Sequence, residues 1–282
     1  MPFATAMEAP IKLGPIDDDR YDRSRRIGWI DLSLVADAKV LMIGAGALGN
    51  EVAKNLVLSG FRRITIVDMD HVAGSNLNRC MFFTQDDVAR KRKKADVVRD
   101  GIKRLSEEAL PVSHVRRIEE MPRQVYKGHD IVLGCLDNIA ARIHVNSHAY
   151  VAGKPYIDGG MEGMLGKVMV SMPPNGACVQ CGMNRTHAKI ANLRFSCTGK
   201  DMVFHEPRLA AEITTTSVIS AVMVREALKV VSRHSELVLN NSLYYDGRKN
   251  IMDELEIPLN PSCPVHGFSG EATGRRKRFK SI

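Results

Sequence analysis

The chain has 282 residues, of which 44% are hydrophobic and 5% aromatic, and its formal net charge is +8. This length suits one large α/β domain with insertions, or two small domains. No apolar run approaches the roughly 20 residues that cross a bilayer, and residues 1–20 lack an apolar signal-peptide segment, so we expect a cytoplasmic protein without a membrane partner.

Two basic runs carry much of the net charge, at residues 90–94 (RKRKK) and 275–280 (RRKRFK). Such runs occur in nucleic-acid-binding proteins. However, the chain shows no regular interleaving of aromatic residues and no helix-turn-helix or RNA-binding signature. We therefore interpret the first run as the source of a phosphate-facing lysine and the second as a solvated tail, and we do not expect nucleic acid as a partner. A basic surface also suits an acidic protein partner.

Residues 1–20 show little pattern, and we expect them to form a flexible arm. The next segment, residues 21–29 (YDRSRRIGW), contains three arginines and the single tryptophan of the chain. Its simplest structural interpretation is a helix that caps the edge of a sheet.

A strand, a glycine turn and a helix are predicted by the sequence VLMIGAGALG at residues 40–49. The first four residues are typical of a buried parallel strand. Gly44, Gly46 and Gly49 then fit G-x-G-x-x-G, and residues 50–58 predict a helix. In such a junction the first glycine allows a tight turn, the second lets backbone N–H groups approach a phosphate, and the third lets the helix pack against the strand. The N-terminus of the helix also favours an anion.

An acidic residue, Asp68, ends the next predicted strand at residues 64–68. It follows the glycine motif by about 20 residues, which is the position where an acid hydrogen-bonds a ribose hydroxyl. The pattern therefore predicts a nucleotide site. It does not separate NAD from ATP, and a glycine-rich turn without a phosphate is the structural alternative.

Strands and helices continue to alternate through residue 158, which predicts an α/β fold with a doubly wound, Rossmann-like, mostly parallel sheet. After residue 166 the pattern changes. Residues 167–172 predict an antiparallel strand, and residues 177–216 predict a long crossover excursion that bears cysteines. An apolar helix over 214–231 and a strand over 242–246 follow, and we expect residues 267–282 to be a disordered basic tail. The alternating elements are a helix over 86–105, strands over 112–115 and 130–136, a helix over 140–152 and a strand over 154–158.

Two paired motifs, Cys178-x-x-Cys181 and Cys263-x-x-His266, lie far apart in the sequence. Each pair offers two ligands from one tight turn, and four soft or borderline ligands suit a tetrahedral, structural Zn²⁺ site. A redox-active C-x-x-C is the alternative. The second pair and the lack of a thioredoxin-like context favour zinc.

Cys197 lies within the excursion, in the segment RFSCTG. A loop cysteine close to Arg194 and Lys200 has surroundings that favour the thiolate, so it is a candidate nucleophile. A buried packing cysteine is the alternative. The apolar surroundings of Cys80 and Cys135 instead indicate inert core thiols.

Together, these motifs resemble the ThiF/MoeB/HesA family and the adenylation domains of ubiquitin-activating (E1-like) enzymes, over roughly residues 21–266. Each motif is weak by itself, but the ordered set is specific and favours ATP over NAD. In chain order the motifs are YDRSR at 21–25, GAGALG at 44–49, VDMD at 67–70, NLNR at 76–79, CLDN at 135–138, DGGMEG at 158–163, the two cysteine knuckles and TTT at 214–216.

The resemblance implies that ATP and Mg²⁺ are used to adenylate the C-terminal glycine carboxylate of a ubiquitin-like protein. It implies that Asp137 holds Mg²⁺, that Asp68 binds the ribose, and that Arg23 reaches the ATP of the neighbouring subunit, so a homodimer is expected. The other residues that it places around ATP are Gly44, Gly46, Gly49, Asp70, Asn76, Arg79 and Lys94. The catalytic residues that it implies are Arg23, Arg79, Lys94, Asp137 and Cys197.

Two features depart from the family pattern. The family usually has one lysine at a fixed distance after the arginine, in a K-x-K-A setting. Here Arg92 fits the spacing and Lys94 fits the local sequence, and we choose Lys94. The final knuckle has His266 where a cysteine is usual, which leaves a Cys₃His zinc site.

Cys197 resembles the thioester cysteine of the ubiquitin-activating branch, so our leading interpretation is adenylation followed by thioester formation. A conjugating enzyme is then a further expected partner. The first alternative is activation of a sulfur-carrier protein, also ending in Gly-Gly, for thiocarboxylate formation. An alternative of another class is a non-catalytic partner-binding subunit, and a nicotinamide-dependent oxidoreductase is the third.

Overall fold

An eight-stranded sheet is the centre of the computed structural model, which describes residues 19–183, 211–239 and 241–266. The strand order is β3-β2-β1-β4-β5-β6-β7-β8. The strands are β1 (Lys39–Ile43), β2 (Arg63–Val67), β3 (Val112–His114), β4 (Ile131–Gly134), β5 (Tyr156–Glu162), β6 (Leu165–Ser171), β7 (Ser242–Asp246) and β8 (Ile251–Leu255).

Strands β1 to β5 form the parallel half of the sheet, with β1 between β2 and β4. Val40 of β1 aligns with Ile64 on one side and with Ile131 on the other. The last four residues of β1 are buried, because helices cover both faces of the sheet, as a parallel sheet requires. The strand order reverses at β1, and open α/β sheets bind their ligands at the carboxyl ends of the strands beside such a point.

Strands β5 to β8 form an antiparallel extension. β5 is longer than predicted, because it continues through Gly159 and Gly160 to Glu162 and pairs with β6 along this length. The sequence does not predict β8, since IMDEL lacks a regular alternation and all five side chains are exposed. Pairing with β7 forms this strand instead. The expected mostly parallel sheet with an antiparallel extension is confirmed.

Helices pack on both faces of the sheet. Alternation along β1 shows this directly, because Val40 and Met42 belong to one apolar core, whereas Leu41 and Ile43 belong to another. Apart from the helix predicted over 86–105, the predicted elements within the described residues are present: the strand over 242–246 has the predicted ends, and the other elements have shifted ends. The helices are α1 (Asp22–Arg25), α2 (Leu32–Asp37), α3 (Ala47–Leu58), α4 (Gln85–Ala89), α5 (Lys94–Leu105), α6 (Gln124–Lys127), α7 (Ile139–Val151) and α8 (Ile213–Val231).

The prediction of one helix over residues 86–105 is wrong, because the chain forms two helices there, α4 and α5. Lys91, between them, has a φ of +49°. The following backbone pairs with the segment after β2: the Val72 N–H donates to the Arg92 carbonyl at 2.9 Å, and the Lys94 N–H donates to the Asp70 carbonyl at 2.9 Å. A continuous helix would forfeit both hydrogen bonds.

Three parts of the interpretation lie outside the described residues: residues 1–18 of the expected arm, the part of the excursion that contains Cys197, and the tail at 267–282. Among the helices of the described ranges, none combines the length and the apolar composition needed to cross a membrane. The cytoplasmic location and the domain boundaries stay predictions.

Candidate active site

The glycine motif forms the turn between β1 and α3. Gly44 has a φ of +97°, and a Cβ built on it would lie 2.2 Å from the Cys135 carbonyl oxygen, so a side chain does not fit. A Cβ on Gly49 would lie 2.1 Å from the Gly44 carbonyl oxygen, which shows how closely α3 packs on the turn. A Cβ on Gly46 would have nothing within 4 Å. The tight turn and the close packing are therefore present, and the second glycine faces room for a ligand.

Asp68 follows β2, and its carboxylate is tied to the glycine turn. One oxygen accepts the Ala45 N–H at 2.7 Å, and the other accepts the Asp70 N–H at 2.8 Å. Each oxygen keeps a second lone pair for a ligand hydroxyl. Burial raises the pKa of Asp68 above its ordinary value, while the charge of Lys94 and the two N–H donors act against this shift. The group can thus accept a further hydrogen bond without leaving its turn.

Lys94 is the basic residue of the 90–94 run that lies beside these acids. Its Nζ donates to Asp70 Oδ2 at 2.8 Å. Burial acts to lower the pKa of Lys94, but the charges of Asp68, Asp70 and Asp137 outweigh burial, so the pKa is raised and the side chain is held as a cation. Because the three acids follow β2 and β4, Lys94 lies within a charged group at the carboxyl ends of both strands.

Other residues of this basic run have different partners. Arg92, which fits the family spacing, forms ion pairs with Asp87 of α4 at 3.0 Å and with Asp100 of α5 at 2.7 Å. Lys93 Nζ donates to the Met69 carbonyl at 3.1 Å. The backbone pairing described above turns successive side chains in opposite directions, which explains why the two neighbouring lysines contact different groups.

Asp137 is exposed in the turn between β4 and α7. The Asn138 side chain caps the N-terminus of α7 through a hydrogen bond of 2.8 Å. From the first turn of α7, the Arg142 guanidinium donates to the Leu136 carbonyl and, at 2.5 Å, to Asp158 Oδ2. Arg142 therefore ties the residue before Asp137 to strand β5.

The ion pair between Arg142 and Asp158 is not predicted by the sequence motifs. The Tyr156 hydroxyl donates to the other oxygen of Asp158 at 2.7 Å. Gly134 leaves room for this contact, since a Cβ built there would lie 2.3 Å from the Tyr156 hydroxyl. The available sequence signal is an arginine one turn after the capping Asn138, within an otherwise apolar stretch of helix.

Asn76 and Arg79 lie in the loop after β2. The Asn76 side chain accepts a backbone N–H of the same loop at 3.0 Å, and the Arg79 guanidinium donates to the Ser75 carbonyl at 2.5 Å. Burial raises the pKa of the Cys80 thiol to about 11, while the charges of Arg79 and Lys94 act against this shift. Both cations therefore lie close to this buried thiol.

The structure brings most of the predicted nucleotide-binding residues to one edge of the sheet, and their roles there stay predictions. Arg23 is an exposed residue of α1, and its expected reach into a second subunit also stays a prediction. Cys197 lies outside the described residues. The predicted residues at or beside the carboxyl ends of β1, β2 and β4 are Gly44, Gly46, Gly49, Asp68, Asp70, Asn76, Arg79, Lys94 and Asp137.

The two cysteine knuckles meet in a second cluster. The ligand atoms of Cys178, Cys181, Cys263 and His266 lie within 4.8 Å of one another. The Sγ atoms of Cys178 and Cys263 are 3.7 Å apart, close to the edge of about 3.8 Å that Zn–S bonds of about 2.3 Å give a tetrahedron. Three sulfurs and one imidazole are a donor set typical of structural zinc, so these residues fit a zinc ion.

Helix α7 supports the first knuckle. Asn146 Nδ2 donates to Cys178 Sγ at 3.3 Å, and Asn146 Oδ1 accepts the Val179 N–H at 3.1 Å. Burial raises the pKa of the Cys178 thiol to about 12, and a bound zinc ion would supply the positive charge that favours the thiolate. One helix therefore begins at the Asp137 turn and supports the metal cluster further along.

Sequence comparisons match the chain to the ThiF family over residues 21–265. It is 30% identical over 261 residues to the sulfur carrier protein adenylyltransferase of Thermus thermophilus, which covers 88% of this chain and 90% of that protein. It is 34% identical over 181 residues to the NEDD8-activating enzyme E1 catalytic subunit of Caenorhabditis elegans, covering 58% of this chain and 42% of that one. It is 33% identical over 166 residues to the SUMO-activating enzyme subunit 2 of Dictyostelium discoideum, covering 58% of this chain and 25% of that one.

The match therefore spans less than half the length of the NEDD8 and SUMO enzymes. Among solved structures, E. coli MccB with succinimide superposes with a TM-score of 0.72 at 20% identity, covering 89% of this chain and 74% of MccB. At that identity the likeness shows a common fold. Since the family match extends over most of the chain, and the ordered motifs and the sheet agree with it, the chain belongs to the ThiF family.

Proposed function

We propose that this chain uses ATP to adenylate the C-terminal carboxylate of a small partner protein. The observation that carries the proposal is the position of Lys94 among Asp68, Asp70 and Asp137, beside an open glycine turn. The names of the similar proteins, a sulfur carrier protein adenylyltransferase and two activating enzymes, support an activating reaction for this chain as well.

The proposed reaction joins two anions. A carboxylate oxygen of the partner attacks the α-phosphorus of ATP and forms a P–O bond. The bond between the α-phosphorus and the bridging oxygen breaks, and pyrophosphate leaves with the electron pair. Cations and oriented N–H groups must offset the repulsion between the two reactants. This step needs no nucleophile from the enzyme.

The residues at the sheet edge would divide this task. Lys94 and Arg79 would supply fixed positive charge, the N-terminus of α3 would offer N–H groups to a phosphate, and Asp68 would hold the ribose. Mg²⁺ bound at Asp137 would neutralise phosphate charge. Arg23 of a second subunit would complete the set of cations, which makes the proposed enzyme a homodimer.

For the second step, we propose that the Cys197 thiolate attacks the acyl carbon of the adenylate. A thioester forms, the C–O bond to AMP breaks, and AMP leaves with the electron pair. Support for this role comes from the sequence context RFSCTG. A conjugating enzyme would then accept the modifier from the thioester.

The second candidate function is activation of a sulfur-carrier protein for thiocarboxylate formation. The observation that favours it is coverage, since the match spans 90% of the Thermus thermophilus adenylyltransferase but 42% and 25% of the NEDD8 and SUMO enzymes. Both candidates share the adenylation step. They differ in the group that accepts the acyl chain.

Exchange of labelled pyrophosphate into ATP tests the shared step. The full chain with Mg²⁺ should catalyse exchange when a partner ending in Gly-Gly is present, and should not when the last glycine of that partner is removed. No exchange with any such partner would contradict adenylation and favour the non-catalytic, partner-binding subunit. Tight NADH binding would instead indicate an oxidoreductase.

A non-reducing gel then separates the two fates of the adenylate. A thiol-sensitive adduct that disappears in Cys197→Ala supports the thioester, and an adduct that persists in this variant contradicts the role of Cys197. A thiocarboxylate on the partner after addition of a sulfur donor supports the sulfur-carrier function.

A further inference from the structure

His266 contacts a tyrosine hydroxyl as well as the cysteine cluster. Its Nδ1 lies 3.0 Å from the hydroxyl oxygen of Tyr150 on α7, and the two rings meet edge to face with centroids 4.6 Å apart. The same hydroxyl donates to the Pro174 carbonyl at 2.7 Å. A tyrosine hydroxyl has one proton, and a carbonyl has none to give. The hydrogen bond to Pro174 therefore uses the proton of Tyr150.

This proton count decides which nitrogen of His266 carries hydrogen. With its own proton directed at Pro174, the Tyr150 oxygen can only accept at His266, so the hydrogen of that bond belongs to Nδ1. A neutral imidazole with hydrogen on Nδ1 keeps its lone pair on Nε2. Nε2 is buried, and it is the nitrogen that remains to bind a metal.

We propose that Tyr150 is the positioning residue of a Cys₃His zinc site: its hydroxyl fixes His266 as the Nδ1–H tautomer and thereby assigns Nε2 as the fourth ligand atom. Histidine ligands are generally oriented by a hydrogen bond from their second ring nitrogen. A cysteine in this position would have no tautomer to select. The zinc site therefore needs the Tyr150 hydroxyl only because its fourth ligand is a histidine.

The same helix supports both knuckles. Asn146 of α7 donates to Cys178 in the first knuckle, and Tyr150, one turn later, contacts His266 in the second. The two side chains are separated by four positions, so they lie on the same face of α7. This arrangement orients one thiolate and the imidazole from a single rigid element.

A double-mutant cycle on zinc affinity, measured by competition with a chromogenic chelator, tests the proposal. Tyr150→Phe removes the hydroxyl and keeps the ring, and it should weaken zinc binding roughly 10- to 100-fold. In a His266→Cys background, the same substitution should leave the affinity unchanged. The bond to Pro174 is lost in both backgrounds, so a loss of equal size in both would assign the effect to packing and overturn the proposal. An unchanged affinity in the His266 background would overturn it too.

Tyr126→Phe is the matched control, because the Tyr126 hydroxyl is buried and has no hydrogen-bond partner among the described residues. This variant should bind zinc as the wild type does. NMR of the zinc-loaded wild-type chain with ¹⁵N-labelled histidine needs no variant. Hydrogen on Nδ1 and metal on Nε2 of His266 is the expected result, and metal on Nδ1, or no zinc bound, would overturn the proposal.

Discussion

Lys94 and Lys93 are adjacent in the sequence, yet their surroundings differ. The Lys94 ammonium contacts Asp70 and lies in the field of Asp68 and Asp137, which raises its pKa. Lys93 contacts a backbone carbonyl. A cation held by acids beside the glycine turn can stabilise the charge that develops on a phosphate, whereas its neighbour is directed elsewhere.

Substitution of each lysine in turn distinguishes their roles. Lys94→Gln should lower pyrophosphate exchange by about 10²–10³-fold, because a preorganised charge is removed from the reacting phosphate. Lys93→Gln is the matched control and should retain most of the activity. The reverse order of the two activities would show that Lys94 is not the phosphate-facing residue.

At this scale, the sequence predicts what depends on local geometry. The roles of Gly44 and Gly49 follow from the turn that their spacing imposes. As expected, a Cβ atom at either position would clash with a backbone carbonyl oxygen. The ion pair between Arg142 and Asp158 joins a helix to a strand that lies later in the sequence, so no local sequence pattern predicts it. Which lysine of the basic run meets the acids depends likewise on a non-local backbone pairing.

Among the elements, the turn between β4 and α7 is held by this buried ion pair. Arg142→Leu should lower the free energy of unfolding by about 3–5 kcal/mol, because the Asp158 carboxylate stays buried without its cation. Urea denaturation measures the loss. In the double variant Arg142→Leu, Asp158→Leu, no buried charge is left alone, so part of the stability should return. A single variant within about 1 kcal/mol of the wild type would show that this pair does not stabilise the turn.

Glu212 caps the N-terminus of helix α8, because its carboxylate accepts the N–H groups of Thr214 and Thr215. Hydrogen bonds from Thr214 and then Thr215 lower the pKa of Glu212 from 4.5 to about 2. Since the pKa in the folded state lies below the unfolded value, the stabilisation is present above pH 4.5. It is lost as the pH falls towards about 2.

Glu212→Ala should therefore cost about 0.5–1 kcal/mol at neutral pH, and its deficit relative to the wild type should shrink below pH 4.5. Urea denaturation at several pH values tests this dependence. Glu107→Ala, at an exposed position in a loop, is the control. A deficit that does not change with pH would show that the charge of Glu212 is not responsible.

Most elements follow from periodicity, since strand β1 and helix α8 occur close to where their apolar patterns predict them. Strand β8 does not, because an exposed edge strand needs no apolar face and is formed by its neighbour. The helical spacing of apolar residues likewise does not predict the interruption between α4 and α5. The hydrogen bonds that cause it are made with Asp70 and Val72, in the segment after β2.

At the scale of the whole molecule, the proposed homodimer can be tested by complementation between two variants, one at Arg23 and one at Lys94. Arg23→Ala and Lys94→Gln should each have strongly reduced exchange activity alone, because every site then lacks one cation. In a mixed dimer, the subunit that retains Lys94 receives Arg23 from its neighbour, so one site is complete and exchange activity should reappear after the variants are mixed and allowed to exchange subunits. Light scattering checks that dimers form. Mixed dimers with no more activity than the single variants would contradict a contribution of Arg23 across the interface.

The short pairing between Val72 and Arg92, and between Asp70 and Lys94, has a consequence for how this protein can tolerate change. These two hydrogen bonds place Lys94 beside Asp70. The position of Lys94 therefore does not depend on the number of residues between Lys94 and the preceding arginine. Insertions or deletions within the α4–α5 connection can therefore be absorbed upstream while the cation keeps its place. Counting from the preceding arginine leads to Arg92, which pairs with Asp87 and Asp100, whereas the paired backbone leads to Lys94 beside Asp70. Alignments of this segment should therefore be anchored on the paired backbone.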